Sequence, residues 1–203
     1  MTTGRYNYCY MDEQRQLIWG GALSVAGLAI IAAAAFFINP SNPKQEQPLM
    51  KNDVDATKLQ LSSPAFENSR PIPERYSCQG QNISPPLSIK GVPAAAESLA
   101  IIMHDPDAPA GDWLHWTIWN IAPQTTQLRE GSLPGGTTEG ITDFGTIGYG
   151  GPCPPSGTHR YFFELYALDS KLDLPDGSRR GELEEAIQKH LLAKAELVGL
   201  FTR

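Results

Sequence analysis

Cysteine, basic runs and common hydrolase signatures are scarce or absent in this chain, and each absence narrows the possible functions. Three cysteines among 203 residues are too few for a disulfide scaffold, and they lack the spacing of zinc ligands. Residues 59–203 carry 11 basic and 17 acidic side chains, with no basic run. Because nucleic-acid binding takes most of its affinity from neutralised phosphates, this charge disfavours a nucleic-acid partner. No HExxH or GxSxG motif is present, which disfavours a zinc protease and a serine hydrolase.

One long uncharged segment, residues 17–38, lies near the N-terminus. As a helix its 22 residues would span about 33 Å, enough for a hydrocarbon core of about 30 Å. A buried core helix would need a partner on every side, and the apolar region of a cleaved signal peptide is shorter, about 7–15 residues. We therefore predict an uncleaved single-pass anchor that follows an N-terminal tail (residues 1–16). Residues 39–58 are polar and proline-containing, and we interpret them as a flexible tether.

From residue 59 the pattern changes to short apolar runs separated by turn residues. Segments 98–104, 116–121 and 161–168 have strand length and are rich in aromatic and branched residues; 59–66 and 87–89 are weaker candidates. One helix is predicted from the spacing of Leu183, Ala186, Ile187, His190 and Leu191. Because alternating βα units are absent, we predict a mainly antiparallel β domain at 59–203 with a C-terminal helix.

Three clusters in this domain carry side chains suited to ligand chemistry. Asp105 and Asp107 lie in a DPDAP turn after a predicted strand, and His115 opens the next strand. A Gly/Pro-rich loop leads to His159 and Tyr161. Each cluster has a plainer interpretation, as a proline-stiffened turn or a packed histidine. Together, two carboxylates, two imidazoles and a phenol would suit a small zwitterion or a phosphate monoester.

These motifs resemble those of the phosphatidylethanolamine-binding proteins, also called Raf kinase inhibitor-like proteins, and most closely their bacterial and archaeal branch. The resemblance covers residues 59–203 and runs through YSCQGQNISPPLS, DPDAP, HW, DFGTIGYGGPCPP, HRY and LLAKAELVGL. It implies a β-sandwich with a peripheral C-terminal helix and an anion pocket at one end. The residues that match the family's pocket are Asp105, Asp107, Trp113, His115, Pro155, His159 and Tyr161. Arg160 also matches, and the resemblance implies that it is ion-paired beneath the site.

The resemblance implies binding rather than catalysis. We expect a membrane-tethered, non-enzymatic module, without a cofactor or a metal, that binds a phosphorylated small molecule or a phospholipid headgroup. Inhibition of kinases and proteases within the family makes such an enzyme a candidate protein partner. Two alternatives stay open. One is a metal-dependent hydrolase that uses Asp105, Asp107, His115 and His159. The other is a pure protein-interaction module that uses an outer loop.

The resemblance also places the loops around Cys78 and Cys153 near the pocket. These cysteines are either free and buried or joined in a disulfide, which an oxidising compartment would favour. The charges on the two sides of the anchor balance and give no firm orientation. We expect the domain on the extracytoplasmic side (the periplasm or the cell exterior), with Cys78 bonded to Cys153. Cys9 would then lie across the membrane and stay reduced.

Overall fold

The computed structural model describes residues 58–203. The predicted tail, the anchor at 17–38 and nearly all of the tether lie outside the described residues, so the anchor remains a prediction. Within the part of the chain that the structure describes, no helix combines the length and the apolar character needed to cross a bilayer.

The described chain is built mainly from β-strands, with one α-helix near its C-terminal end. The elements in chain order are β1 (Gln60–Ser62), β2 (Arg70–Pro71), a 3-10 turn (Glu74–Tyr76), β3 (Leu87–Lys90), β4 (Ser98–Asp105), β5 (Trp113–Ile121), β6 (Gln127–Leu128), β7 (Thr138–Glu139), β8 (Thr158–Leu168), α1 (Arg180–His190) and β9 (Leu191–Thr202). The mainly β class with a C-terminal helix is therefore confirmed, and the three stronger strand predictions correspond to β4, β5 and β8.

The strands form two sheets. The larger sheet has the order β2-β9-β8-β4-β5-β7, and the smaller one has the order β1-β3-β6. All pairings between these strands are antiparallel except that of β2 with β9. Buried side chains of both sheets belong to one hydrophobic cluster, for example Ile101 and Phe163 of the larger sheet with Ile89 of the smaller. The two sheets therefore pack face to face as a β-sandwich.

The outer face of the larger sheet is covered by α1. Leu183 and Ile187 of the helix pack with Ala100, Ile102 and Trp119 of the sheet in a second cluster. Side chains alternate along β4, so Ala100 and Ile102 face the helix while their neighbours Ile101 and Met103 face the smaller sheet. The sheet is apolar on both faces because each face has a layer to cover.

The end of the helix differs from the sequence prediction. Leu191 was assigned to the helical pattern, but α1 ends at His190, and Leu191 has extended dihedral angles and begins β9. The segment LLAKAELVGL has good helix formers, yet it forms a strand that pairs with β8 along its whole length. The eleven paired positions of β9 outweigh a helix propensity that differs by only tenths of a kcal/mol per residue.

Candidate functional site

A cavity of about 240 Å³ opens where β4, β5 and β8 reach the same end of the larger sheet. Five of the residues that line it were named from the sequence: Asp105, Trp113, His115, Pro155 and His159. Cys153 was expected near the pocket as a possible disulfide partner of Cys78, and the remaining lining residues were not named as site residues: Ala108, Pro109, Ala110, Phe144 and Pro154. The polar side chains come from strand ends, while the apolar walls come from the loops that follow.

Asp105 and His159 form a buried pair in the cavity. Asp105 is the last residue of β4, and His159 lies near the start of β8, which pairs antiparallel with β4. The Nδ1 atom of His159 lies 2.7 Å from Oδ2 of Asp105, and both residues are less than a tenth exposed. Because the carboxylate accepts, Nδ1 carries the hydrogen, and Nε2 is the nitrogen left for a ligand.

His115 owes its direction to a bulge in β5. Met103 pairs with Trp116 and His104 pairs with Leu114, so His115 is the extra residue between the two pairs. Its Nδ1 donates to the carbonyl oxygen of Gly150 at 2.7 Å, which again leaves Nε2 for a ligand. Burial lowers the pKa of His115, although the Gly150 carbonyl and nearby carboxylates oppose the shift. These surroundings therefore favour the neutral imidazole at His115.

Tyr161 is fully buried next to His115 and is not among the residues that line the cavity. Its ring meets His115 edge-on at a centroid distance of 5.1 Å. Burial and the negative charge of Asp105 raise the pKa of the Tyr161 phenol far above its usual value, so the phenol keeps its proton. The hydroxyl lies near the Asp105 carboxylate and the Cys153 backbone, but it forms no hydrogen bond of acceptable geometry with any described residue. A buried hydroxyl without a partner costs about 1–3 kcal/mol, which a bound acceptor would recover.

Asp107 does not line the cavity, although the resemblance implied that it belongs to the pocket. Its two oxygens accept from the Arg160 side chain at 2.9 and 2.6 Å, and from the Arg160 backbone N–H at 3.0 Å. The Arg160 hydrogen bond is the main reason that the pKa of Asp107 falls to about 2, against a smaller opposing effect of burial. The implied ion pair of Arg160 is present, but its side chain is 54% exposed and lies at the surface rather than beneath the site.

Phe144 is the lining residue that sequence reasoning missed with the clearest structural role. Its ring meets the rings of Trp113 and His115 edge-on, at 5.6 and 5.2 Å. A Cβ atom on Gly150 would lie 2.5 Å from the Phe144 ring, so only glycine permits this packing. The sequence signal that could have identified Phe144 is an aromatic residue beside several glycines, in DFGTIGYGG.

A disulfide joins Cys78 to Cys153, with 5.4 Å between their Cα atoms. Hydrogen bonds beside it tie the same two loops together: the Cys78 N–H donates to the Pro152 carbonyl at 3.1 Å, and the Gly151 N–H to Oδ1 of Asn82 at 2.8 Å. Because Cys153 lines the cavity, the bridge holds one wall of the site against a loop that is distant in sequence.

The domain is a β-sandwich of two packed sheets with a cavity at one end, and the cavity contains the buried carboxylate–imidazole pair of Asp105 and His159. This arrangement is that of a small ligand-binding β-sandwich protein. The sequence profile described as "Phosphatidylethanolamine-binding protein" matches residues 62–202, and the chain belongs to that family. A relative from Methanothermobacter thermautotrophicus, named "UPF0098 protein", is 53% identical over 150 residues, covering 71% of this chain and 99% of the relative.

Two solved structures resemble the domain. A phosphatidylethanolamine-binding protein homologue from Chlamydia trachomatis is 44% identical, with a TM-score of 0.70, and the match covers 72% of this chain and 99% of that one. YbcL of E. coli, described as a member of the mammalian PEBP family, is 31% identical, with a TM-score of 0.68 and the same coverage. Both proteins consist almost entirely of the matching domain, so a domain of this kind folds without an N-terminal extension.

Proposed function

We propose that the domain is a non-enzymatic binding module whose cavity receives the phosphate group of a small phosphorylated ligand or a phospholipid headgroup. The observation that carries the proposal is the buried Tyr161 hydroxyl, which makes no hydrogen bond of acceptable geometry among the described residues and whose ring meets His115, a residue of the cavity lining. A phosphate oxygen is an acceptor that would satisfy this hydroxyl. The membrane anchor predicted at residues 17–38 would tether the module to a membrane.

Binding of a phosphate must be coupled to a proton. With Nδ1 engaged, a neutral ring at His115 or His159 would present Nε2 without a hydrogen, and a phosphate dianion offers none either. Either an imidazole takes up a proton, or the phosphate binds as the monoanion and donates one. Both routes become less favourable as the pH rises, because the unperturbed imidazole pKa is about 6.5 and the second phosphate pKa is about 6. Affinity should therefore fall between about pH 6 and pH 8.

The walls of the cavity favour a small ester over a long polyanion. Within residues 58–203 no lysine or arginine lines the cavity, and Arg160, which follows His159 in sequence, is ion-paired with Asp107. The walls contributed by Ala108, Pro109 and Ala110 are apolar. A single phosphate on an apolar or zwitterionic carrier would meet this combination without leaving further charges unpaired.

Calorimetry with phosphate and phosphoethanolamine, from pH 5.5 to pH 8, tests the proposal on the domain of residues 58–203. Tyr161→Phe removes only the hydroxyl and should weaken binding roughly ten-fold or more, since a hydrogen bond to a charged group contributes about 1.5–3 kcal/mol. Tyr149→Phe is the matched control, because that hydroxyl already donates to the Tyr76 carbonyl at 2.8 Å and is not free to bind a ligand. Equal affinities of wild-type protein and Tyr161→Phe would contradict the proposal.

The same samples test the alternatives. A metal-dependent hydrolase would bind zinc or manganese stoichiometrically and lose phosphatase activity with Asp105→Ala. The structure gives this reading no specific support, because Asp107 is bound to Arg160 and no group of three potential ligands is gathered for a metal within residues 58–203. Regulation of a protein kinase or a protease stays a prediction from the family, and inhibition assays on such enzymes would test it.

A further inference from the structure

A second cluster of titratable side chains lies on the outer face of the larger sheet. His104 immediately precedes Asp105 in β4, and the alternation of side chains directs it to the opposite face from the cavity. Its side chain is 12% exposed and its ring stacks on Phe162 at a centroid distance of 5.5 Å. Its Nδ1 atom lies 2.5 Å from Oδ1 of Asp112. None of these residues apart from Asp105 lines the cavity.

Asp112 connects this cluster to the cavity. It ends the loop 106–112, from which Ala108, Pro109 and Ala110 line the site. While one carboxylate oxygen of Asp112 contacts His104, the other lies 2.8 Å from Nη2 of Arg180 in α1. One side chain therefore ties the wall of the cavity to both the sheet and the helix.

We propose that Asp112, held by His104 and Arg180, is the positioning residue of this cavity wall, and that protonation of His104 sets how firmly the wall is held. The effect on the loop stands on the geometry of this cluster alone. The consequence for phosphate affinity also rests on the proposed function.

The charges around His104 determine the direction of the effect. Its Nε2 atom is buried without a hydrogen-bond partner among the described residues, and lies 3.8 Å from Oε1 of Glu164 in β8. The other charged or titratable groups around the cluster are Tyr166 and Lys194, which bind Glu164; Glu184, which binds Arg180; and Arg160, whose guanidinium lies over the Phe162 ring. The two groups nearest the imidazole are thus both carboxylates.

Burial lowers the pKa of His104, but the carboxylates of Glu164 and Asp112 outweigh it, and the net shift is upward. The protonated ring can donate from Nδ1 to Asp112 while its charge faces Glu164. Deprotonation removes the charge of the ring, leaves one hydrogen bond to a carboxylate and turns a lone pair toward the other carboxylate. Because the folded pKa is raised, the stabilisation is complete below the unfolded value of about 6.5 and is lost as the pH rises through the folded pKa.

The amide of Gly111 reports on the loop, since it donates to the Ala108 carbonyl at 3.0 Å. The experiment follows the His104 ring and the hydrogen-exchange protection of Gly111 by NMR, from pH 5.5 to pH 9, in the domain of residues 58–203. Protection, corrected for the intrinsic exchange rate at each pH, should fall about five- to ten-fold with the same midpoint as the His104 titration. This range is the ratio expected when a hydrogen bond loses the charge on its donor while its acceptor stays ionised.

Two variants test whether the protonation of His104 controls the loop or whether Asp112 is only a structural contact. Glu164→Gln leaves the loop contacts of Asp112 intact but should move both midpoints together to lower pH. Asp112→Asn should give low Gly111 protection at every pH and should weaken phosphate binding about three-fold at pH 6, because the ligand would then have to order the loop. Phosphate binding by wild-type protein and by Asp112→Asn is compared at a single pH, so that the protonation of His115 and His159 affects both proteins equally.

The proposal would be overturned if Gly111 protection did not change across the His104 titration. It would also be overturned if the midpoint of Gly111 protection were the same in Glu164→Gln as in wild-type protein. These readouts decide the matter even if Asp112→Asn fails to fold. Wild-type protein that binds no phosphate at any pH would instead refute the proposed function. The Gly111 measurement would still decide whether the protonation of His104 controls the loop.

Discussion

Removal of the Cys78–Cys153 bridge should destabilise the domain by about 4.5 kcal/mol. The bridged residues are 75 positions apart. In the chain-entropy model a cross-link over such a loop removes about 15 cal/mol/K from the unfolded chain, which is about 4.5 kcal/mol at 25 °C. Each kcal/mol shifts Tm by roughly 2–4 °C in a domain of this size, so Tm should fall by about 9–18 °C.

The folded state should survive this change, because the two loops keep other contacts. The Cys78 N–H still donates to Pro152, the Gly151 N–H to Asn82 and the Tyr149 hydroxyl to Tyr76. The loss therefore arises mainly from the greater freedom of the unfolded chain. A double Cys78→Ser/Cys153→Ser variant should be folded at 25 °C and should keep most of its phosphate affinity.

Urea unfolding of oxidised wild-type protein, reduced wild-type protein and the double variant measures the effect. The reduced protein and the double variant should agree. In the full chain, Cys9→Ser is the matched control, because Cys9 precedes the domain, and its Tm should equal that of wild-type protein. A loss below about 1 kcal/mol would refute the chain-entropy reasoning. Mass spectrometry of native membranes without reductant addresses the compartment, since two free thiols there would place the domain in the cytoplasm.

Three further predictions concern a close approach, a charge and the anchor. Gly151→Ala should lower the free energy of unfolding by about 1–3 kcal/mol in urea, because its Cβ would lie 2.4 Å from the Tyr76 carbonyl oxygen; an unchanged midpoint would contradict this. Asp107, with a pKa of about 2, stabilises the fold above the unfolded pKa of about 3.9, and this contribution is lost as the pH falls through about 2. In Asp107→Asn the free energy of unfolding should therefore fall less steeply between pH 4 and pH 2. The difference from wild-type protein should be less than about 1 kcal/mol, because the Arg160 partner is half exposed. Identical pH profiles of the two proteins would contradict this prediction. The full chain should pellet with membranes after a carbonate wash, and a shortened soluble form that begins after residues 32–35 would indicate a cleaved signal peptide instead.

The positions of the main strands follow from local sequence. Branched and aromatic runs such as SLAIIMH and YFFELYAL form β4 and β8 because alternate side chains can be buried on the two faces of a covered sheet. The motifs that carried the family resemblance also identified five residues of the cavity, since those motifs stand at strand ends and in the loops that follow them.

The partner of each polar side chain was decided by tertiary structure. Two aspartates of one DPDAP turn have different environments: Asp105 is buried against His159, while Asp107 is drawn to Arg160 at the surface. Both partners lie more than 50 residues away, on β8, and the register of β4 against β8 selects between them. Only this register makes the distinction, because the two aspartates share the same local sequence signal.

The sequence by itself determined that the described part of this protein is a mainly β domain of the phosphatidylethanolamine-binding family, with an acidic and imidazole-containing site at the strand ends. Tertiary structure decided that β9 is a strand, that a bulge turns His115 into the cavity, and that His104 lies beside Asp112. The physical reason is range. Burial patterns and turn residues act over a few positions, whereas strand pairing and ion pairs join residues that only the folded chain brings within contact distance.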